Sequence, residues 1–194
     1  LTYGFDKKAN YCIINIRRKI EYSIFDLIVK ISNNKIYKIK NIKVNLIGDH
    51  NISNATAATA IALNLGVKIN KIKKALNKFL GIQRRFTKIF SLKKREFYDD
   101  YAHHPTEIQA VINSARQIHK KRKIICVFQP HRFSRVKLLK KEFASAFKKC
   151  NEVVLCPVYS AGEKRAYNFN QDKFSQLISH KSKTQVINVF NKEQ

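Results

Sequence analysis

A dense group of ionisable side chains lies between Tyr98 and Glu107, in the segment Tyr-Asp-Asp-Tyr-Ala-His-His-Pro-Thr-Glu. Its carboxylates, phenols and adjacent imidazoles can exchange protons and hold a charged ligand. Phe97 and Tyr98 favour a strand, whereas Pro105 suits the first turn of a helix. Ligands of open α/β sheets bind at the carboxyl ends of the strands, where each strand leads into the next helix. Either aspartate alone is explained as a turn cap, but the whole cluster predicts a ligand site.

Two further polar turns follow at Gln129–Arg135 and Tyr159–Glu163. Arg132 and Arg135 are three residues apart at a predicted helix start, so both can offer planar forks to a carboxylate or phosphate. A solvated surface is the alternative, but the positive end of a helix is a poor place for two cations without an anion. The pair therefore favours an anion site.

The elements that position these turns alternate between short apolar runs and helices from Phe97 onward. The predicted strands are Phe97 to Asp100, Ile124 to Phe128, Val153 to Val158 and Val186 to Phe190, and the predicted helices are about 106–120, 134–148 and 171–180. This alternation predicts right-handed βαβ units and a parallel, Rossmann-like sheet. The three polar turns are then expected to converge at one edge of that sheet.

Residues 1–47 have the alternation of β-structure, and an alanine- and threonine-rich helix follows and ends at Gly66. His50, Asn51 and Asn54 lie at the start of this helix. Asn51 alone is explained as a helix cap. However, the small alanine side chains give this helix a thin face that a flat ligand can approach closely. Together with that face, these amide and imidazole groups favour a binding site for an anion or a nucleotide.

Arg84 and Arg85 lie between Gly81 and an aromatic residue. If the segment is extended, its neighbouring side chains point to opposite sides, so at most one of the two arginines faces a given ligand. A domain boundary is predicted between Leu80 and Phe97. We divide the chain into domains of residues 1–90 and 91–194.

The composition of the 194 residues is strongly basic, with 39 Lys and Arg against 13 Asp and Glu and a net charge of +26. This balance indicates an anionic partner: nucleic acid, an anionic membrane surface or a phosphorylated small molecule. The lysines are spread over every element, which indicates a compositional bias and ranks a nucleic-acid-binding module behind an enzyme. The four cysteines show no metal-ligand spacing and are interpreted as buried apolar residues.

Neither a membrane-spanning run nor a signal peptide is evident, so a cytoplasmic protein is expected. The chain starts at Leu1 and contains no methionine, which suggests a piece of a longer polypeptide.

Five segments together carry a resemblance to a known family. They are Gly48-Asp49-His50-Asn51-x-x-Asn54-Ala55, Arg84-Arg85-Phe86, Asp99-Asp100-Tyr101-Ala102-His103-His104-Pro105-Thr106-Glu107, Phe128-Gln129-Pro130-His131-Arg132-Phe133-Ser134-Arg135 and Val158-Tyr159-Ser160-Ala161-Gly162-Glu163. In order and spacing this set resembles the Mur ligases, over nearly the whole chain. The resemblance implies an α/β fold: the rear part of a central ATP-binding domain, then a Rossmann-like parallel-sheet C-terminal domain whose last strand is expected to be missing.

The resemblance also implies a reaction that depends on ATP and Mg²⁺. The lactyl carboxylate of UDP-N-acetylmuramate would be phosphorylated, and the amine of L-alanine would displace the phosphate, in peptidoglycan precursor synthesis. The family implies that His50, Asn51 and Asn54 hold the adenine side of ATP, and that Arg85 and Asp100 reach its ribose and phosphates. It also implies that the reacting carboxylate and the amino acid are faced by Tyr101, His104, His131, Arg132 and Arg135. Arg85, Asp100, His104 and Arg135 are the predicted catalytic residues, and no residue is predicted to bind metal.

The departures from the family concern its phosphate chemistry. The sequence contains no G-x-x-x-x-G-K-[ST] loop, which is the usual phosphate-binding motif. It has only five glycines in all, so no other glycine-rich loop can replace it. The phosphate-binding lysine, the metal-binding glutamate and the UDP-binding domain are therefore expected in a missing N-terminal portion, and the chain alone is expected to be inactive. The alternatives are an inactive remnant and a muropeptide ligase of cell-wall recycling. The latter shares the D-D-x-A-H-H-P string, but the F-Q-P-H-R-x-x-R string argues against it.

Overall fold

The computed structural model describes residues 1–31, 35–163 and 169–190. It contains two compact units, Leu1–Gln83 and Arg84–Gln194. Each unit has a hydrophobic core of its own. Ser32-Asn33-Asn34-Lys35 has the composition of a turn, but Ser32, Asn33 and Asn34 lie outside the described residues.

The first unit is built on a four-stranded sheet in the order β1-β2-β3-β4. Its strands are β1 (Tyr3–Gly4), β2 (Tyr11–Arg18), β3 (Ser23–Lys30) and β4 (Ile36–Val44), and its helices are α1 (Asp49–Asn64) and α2 (Ile69–Lys78). The β1–β2 pair is parallel, and the other two pairs are antiparallel. The predicted β-structure and the predicted alanine- and threonine-rich helix are confirmed.

Side-chain periodicity explains how α1 covers this sheet. Phe25, Leu27 and Val29 alternate along β3 and are fully buried, as the two-residue period of a strand requires. Ala55 and Ala60 of α1 belong to the same core. Part of the thin alanine face is therefore occupied by packing against the unit's own core.

The second unit contains two separate sheets. Its elements are β5 (Thr87–Leu92), β6 (Arg95–Asp99), α3 (Pro105–Ile118), β7 (Ile125–Phe128), α4 (Phe133–Leu138), α5 (Lys140–Ala146), β8 (Glu152–Leu155), α6 (Gln171–Ser182) and β9 (Gln185–Asn188). Strands β7, β8 and β9 pair in parallel, which confirms the Rossmann-like sheet. The single helix predicted over 134–148 is two helices, because the backbone leaves helical geometry at Leu139 (φ −109°, ψ 27°).

The first predicted strand of the parallel sheet is wrongly placed. Within the described residues, β6 pairs only with β5, in an antiparallel two-stranded hairpin. Lys93 and Lys94 both have positive φ, which is the backbone geometry of a tight hairpin turn. This turn brings β5 beside β6, so β6 pairs within a local hairpin instead of joining the parallel sheet.

The core of the second unit is aromatic and lies between the parallel sheet and its helices. Phe143, Phe147 and Phe174 are fully buried, and Phe128 of β7 lies 5.7 Å from Phe143 and 5.3 Å from Phe147 between ring centroids. This packing holds the carboxyl ends of β7 and β8, where the polar turns begin.

The cysteines are free thiols in the structure. Cys12 and Cys150 are buried as predicted, whereas Cys126 and Cys156 are only partly buried. A hydrogen bond with Cys150, together with burial, raises the pKa of the Cys126 thiol well above its usual value. Among the helices in the described ranges, none has the length and apolar character needed to cross a bilayer.

Candidate active site

The first unit presents its candidate nucleotide-binding residues on the first two turns of α1. Gly48 precedes this helix with φ +96°, a conformation that glycine adopts easily. The Asn51 side chain donates a hydrogen bond to the carbonyl oxygen of Ile47 over 2.8 Å, which fixes the chain as it enters the helix. His50 and Asn54 are four residues apart and therefore share one face of α1. Asn54 is exposed.

Asp100 organises the turn between β6 and α3. Its carboxylate accepts the N–H of Phe86 at 2.6 Å through one oxygen and the N–H of Ala102 at 2.7 Å through the other. These are the bonds of a turn cap, so the simpler explanation offered for the aspartates describes the geometry of Asp100. They also tie the turn to the segment that carries Arg85.

The Arg84–Phe86 segment is a turn, and the extended conformation considered for it is wrong. Arg84 has φ +58° and Phe86 has φ +50°, both outside the extended region. The two arginines reach different carboxylates. Arg84 Nε lies 3.2 Å from Asp99, and Arg85 Nη1 lies 4.0 Å from Glu107.

The two adjacent histidines have different positions. His104 is the N-cap of α3: its Nδ1 accepts the N–H of Thr106 at 3.4 Å, and Glu107 accepts the N–H of His104 at 3.2 Å. Burial would raise the pKa of Glu107, but the N–H groups of His103 and His104 outweigh it, and the pKa is lowered. His103 instead packs edge-on against Tyr101, with ring centroids 5.1 Å apart.

The turn between β7 and α4 carries His131, Arg132 and Arg135. Arg132 has φ +72°, which is uncommon for a residue with a side chain, and it precedes α4 as the N-cap residue. Its N–H donates to the carbonyl of Tyr159 at 2.8 Å, and the Tyr159 N–H donates to the carbonyl of Pro130 at 2.8 Å. The turns after β7 and β8 are thus joined by backbone hydrogen bonds.

The surroundings of His131 favour its neutral imidazole form. Burial, followed by the charges of Arg135, Arg132 and His103, lowers its pKa. Nη1 of Arg135 lies 3.3 Å from Nδ1 of His131. A guanidinium can only donate, so Nδ1 is the acceptor and the proton of the neutral ring is on Nε2. The ring can therefore donate a hydrogen bond to an oxygen from Nε2.

Four rings form a continuous series across the three polar turns, and we call Tyr101, His103, His131 and Tyr159 the ring row. Successive centroids in it are 5.1, 6.2 and 5.6 Å apart. The guanidinium of Arg84 lies over the Tyr101 ring at 5.0 Å from its centroid. The structure therefore brings the three turns together, although the first of them does not follow a strand of the parallel sheet.

Not every predicted residue joins this group. His104 is exposed at the helix cap, and the histidine of the ring row is His103. Arg85 lies beside Glu107 rather than His131 or Arg135. Tyr159 and Glu163 belong to a predicted turn but were not among the predicted site residues. The roles of all these residues in binding and catalysis stay predictions.

Sequence reasoning missed a second polar cluster, centred on the carboxylate of Glu96. Tyr98 donates its hydroxyl proton to Glu96 at 2.8 Å, and His119, Lys88 and Arg122 lie 3.0, 3.3 and 3.5 Å from the same carboxylate. Burial, with the hydrogen bond and charge of Glu96, raises the pKa of Tyr98 to about 12. No sequence motif predicts this cluster, because its members are separated in the chain: they lie on β5, on β6 and at or beyond the end of α3.

Comparisons with known proteins define the class. Residues 84–192 match the model of the family described as Mur ligase, glutamate ligase domain. The chain therefore belongs to the Mur ligase family. It is 50% identical over 188 residues to UDP-N-acetylmuramate–L-alanine ligase from Pelagibacter ubique, a match covering 97% of this chain and 40% of that relative.

Solved structures agree with this assignment. UDP-N-acetylmuramate-alanine ligase from Thermotoga maritima matches with a TM-score of 0.69 and 27% identity over 97% of this chain and 39% of that one. A murein peptide ligase from Psychrobacter arcticus matches with a TM-score of 0.62 and 20% identity over 98% of this chain and 38% of its own, a likeness of fold alone. The chain thus spans about two fifths of the length of these relatives.

Proposed function

We propose that this chain is part of an ATP-dependent ligase that joins L-alanine to the lactyl carboxylate of UDP-N-acetylmuramate in peptidoglycan precursor synthesis. The observation that carries the proposal is the 50% identity over 188 residues with the Pelagibacter ubique ligase of that name. The match covers 97% of the chain and so includes both compact units.

The second unit would bind the reacting groups. Activation of a carboxylate and attack by an amine build negative charge on oxygen atoms, and fixed cations and N–H donors stabilise such charge. Arg132 and Arg135 supply guanidinium groups, and His131 supplies an Nε2 donor beside them. Tyr101 and His103 extend this surface along the ring row. The predicted substrate role of His104 is the least supported, because this residue caps α3.

The first unit would contact the nucleotide. ATP would supply the phosphoryl group that activates the carboxylate. His50, Asn51 and Asn54 fit a base or ribose because they place imidazole and amide groups on the first turns of one helix. Arg85, which belongs to the second unit, would bind phosphate, and Asp100 would orient Arg85 by fixing the Phe86 amide in the adjoining turn.

Magnesium enters the proposal only with the nucleotide. Across residues 1–31, 35–163 and 169–190, no group of three His, Cys, Asp or Glu side chains is arranged to hold a metal ion. In this proposal the metal-binding glutamate lies in the N-terminal portion of the longer polypeptide, and no residue of this chain is assigned to the ion. Because ATP and a nucleotide-linked sugar are cytoplasmic metabolites, we also place the reaction in the cytoplasm.

The domain assignment belongs to the same proposal. The first unit would be the rear of a central ATP-binding domain, and the second unit a C-terminal domain. Along the chain, the boundary between the two compact units lies between Gln83 and Arg84, and the family match also begins at residue 84. These observations favour a boundary slightly before the predicted division at residue 90.

The test is an assay on the product of the complete open reading frame that encodes these residues. We expect ATP hydrolysis to ADP and formation of an amide between L-alanine and UDP-N-acetylmuramate, each dependent on both substrates. A product formed from a preassembled peptide but not from L-alanine would instead identify a murein peptide ligase. Failure to form either amide, with the protein folded, would contradict the proposal.

A further inference from the structure

Helix α4 begins without a side-chain cap of its own. The first N–H groups of a helix have no partner within the helix and are commonly satisfied by the side chain of the N-cap residue. Here that residue is Arg132, whose side chain has only donors and makes no capping bond. Helix α4 has only six residues, and one of them is Arg135. The order of its first turn therefore bears directly on the position of that guanidinium.

The missing acceptor comes from another turn. Glu163, which follows β8, accepts the backbone N–H of Ser134 at 3.1 Å through one carboxylate oxygen. Its other oxygen accepts the Ser134 hydroxyl at 2.5 Å. Glu163 is itself held in its turn by its N–H, which donates to the Ser160 carbonyl at 3.1 Å. Thus a residue 29 positions away does what an N-cap side chain ordinarily does.

The charge of Glu163 suits this position. A carboxylate at the N-terminus of a helix interacts favourably with the positive end of the helix dipole, and Arg132 places a cation at the same end. Hydrogen bonds from the Ser134 hydroxyl and the Ser134 amide lower the pKa of Glu163, with a smaller contribution from Arg132. The lowered pKa favours the ionised carboxylate, which can accept both hydrogen bonds from Ser134.

We propose that Glu163 is a positioning residue that caps α4 from the neighbouring turn and thereby holds Arg132 and Arg135 in place beside His131. The two turns are joined by the hydrogen bonds between Ser134 and Glu163 and by the backbone bond from the Arg132 N–H to the Tyr159 carbonyl. They are also joined by the bond from the Tyr159 N–H to the Pro130 carbonyl and by the tilted contact between the His131 and Tyr159 rings. The consequence for catalysis rests on the proposed function, whereas the capping itself does not.

The first experiment measures hydrogen exchange in the product of the complete open reading frame. Glu163→Ala and Glu163→Gln are compared with Glu142→Gln, a matched control that is exposed on α5. We expect exchange of the Phe133–Arg135 amides to rise about tenfold in Glu163→Ala and less in Glu163→Gln, which keeps one acceptor oxygen. The control should leave it unchanged. Unchanged exchange in Glu163→Ala would overturn the proposal.

A double-mutant cycle with Ser134→Ala separates this clamp from a general structural role. The effect of each change is the logarithm of the factor by which it speeds amide exchange. If the two side chains act as a pair, the effect of removing both should be smaller than the sum of the two single effects. Additive effects would overturn the pairing. The Ser134→Ala and Glu163→Gln changes are small, so the cycle can be completed with Glu163→Gln if Glu163→Ala does not fold.

Enzyme kinetics then separate this proposal from the proposed function. In an active ligase, Glu163→Ala should raise the KM for the amino acid and lower kcat, and Glu163→Gln should recover part of both. If the unmodified protein has no ligase activity but Glu163→Ala still speeds amide exchange, the proposed function fails and the capping role is supported. Full activity in Glu163→Ala together with faster exchange would overturn the positioning role.

Discussion

Nη1 of Arg135 donates a hydrogen bond to Nδ1 of His131 over 3.3 Å, four residues earlier in the same short segment. This contact couples a permanent cation to a titratable ring. It fixes the tautomer of His131, and it also orients the guanidinium at the edge of the ring row.

Replacement of Arg135 by alanine should impair ligation strongly. The change removes a charged donor from a site where negative charge develops, so we expect an increase in the KM for the amino acid and a kcat/KM about a hundredfold lower. Arg135→Lys keeps the charge without the planar fork and should recover only part of this loss. Lys137→Ala is the matched control on the exposed side of α4. An unchanged kcat/KM in Arg135→Ala would refute the assigned role.

The pH dependence of the same site follows from the lowered pKa of His131. The neutral ring is favoured in the folded protein, so its contribution to stability is present above the unfolded-state pKa and is lost as the pH falls through the folded-state value. Loss of the cation in Arg135→Ala should raise the pKa of His131 towards its ordinary value. Titration of the His131 ring by NMR measures both values. A pKa that is unchanged or falls further in the variant would contradict this account.

Replacement of Asp100 should destabilise the protein more than replacement of its neighbour Asp99. Asp100→Ala leaves the Phe86 and Ala102 amides without their acceptor, which we expect to cost about 1–3 kcal/mol in free energy of unfolding and to weaken ATP binding. Asp99→Ala removes only an exposed pair with Arg84 and should cost about 1 kcal/mol or less. Urea unfolding and nucleotide titration of both variants provide the comparison. Equal effects of the two changes would show that the turn does not depend on Asp100.

The cluster around Glu96 should make stability depend on alkaline pH through Tyr98. The folded-state pKa of this phenol is raised to about 12, so its contribution is complete below the unfolded-state value near 10 and is lost as the pH rises towards 12. Tyr98→Phe removes this dependence, together with about 1 kcal/mol from the hydrogen bond to Glu96. Urea unfolding at pH 8 and above tests the difference, with exposed Tyr3→Phe as control. Parallel pH curves for the variant and the unmodified protein would argue against it.

The sequence alone determined the local elements and the family. Alternating apolar residues such as Phe25, Leu27 and Val29 can bury one face only as a strand, and the strings around His103 and His131 are specific enough to predict a Mur ligase. Each of these signals lies within a few consecutive residues. Local propensity and short-range spacing are therefore sufficient to produce them.

Only the tertiary structure decided which of these residues meet. It paired β6 with β5 instead of the parallel sheet, placed His103 rather than His104 in the ring row, and brought Glu163 to the start of α4. Such contacts join residues far apart in the chain, and they depend on strand register, on turn geometry and on which face each helix buries. No local pattern specifies them, because the free energy that selects them comes from packing and hydrogen bonding across the whole second unit.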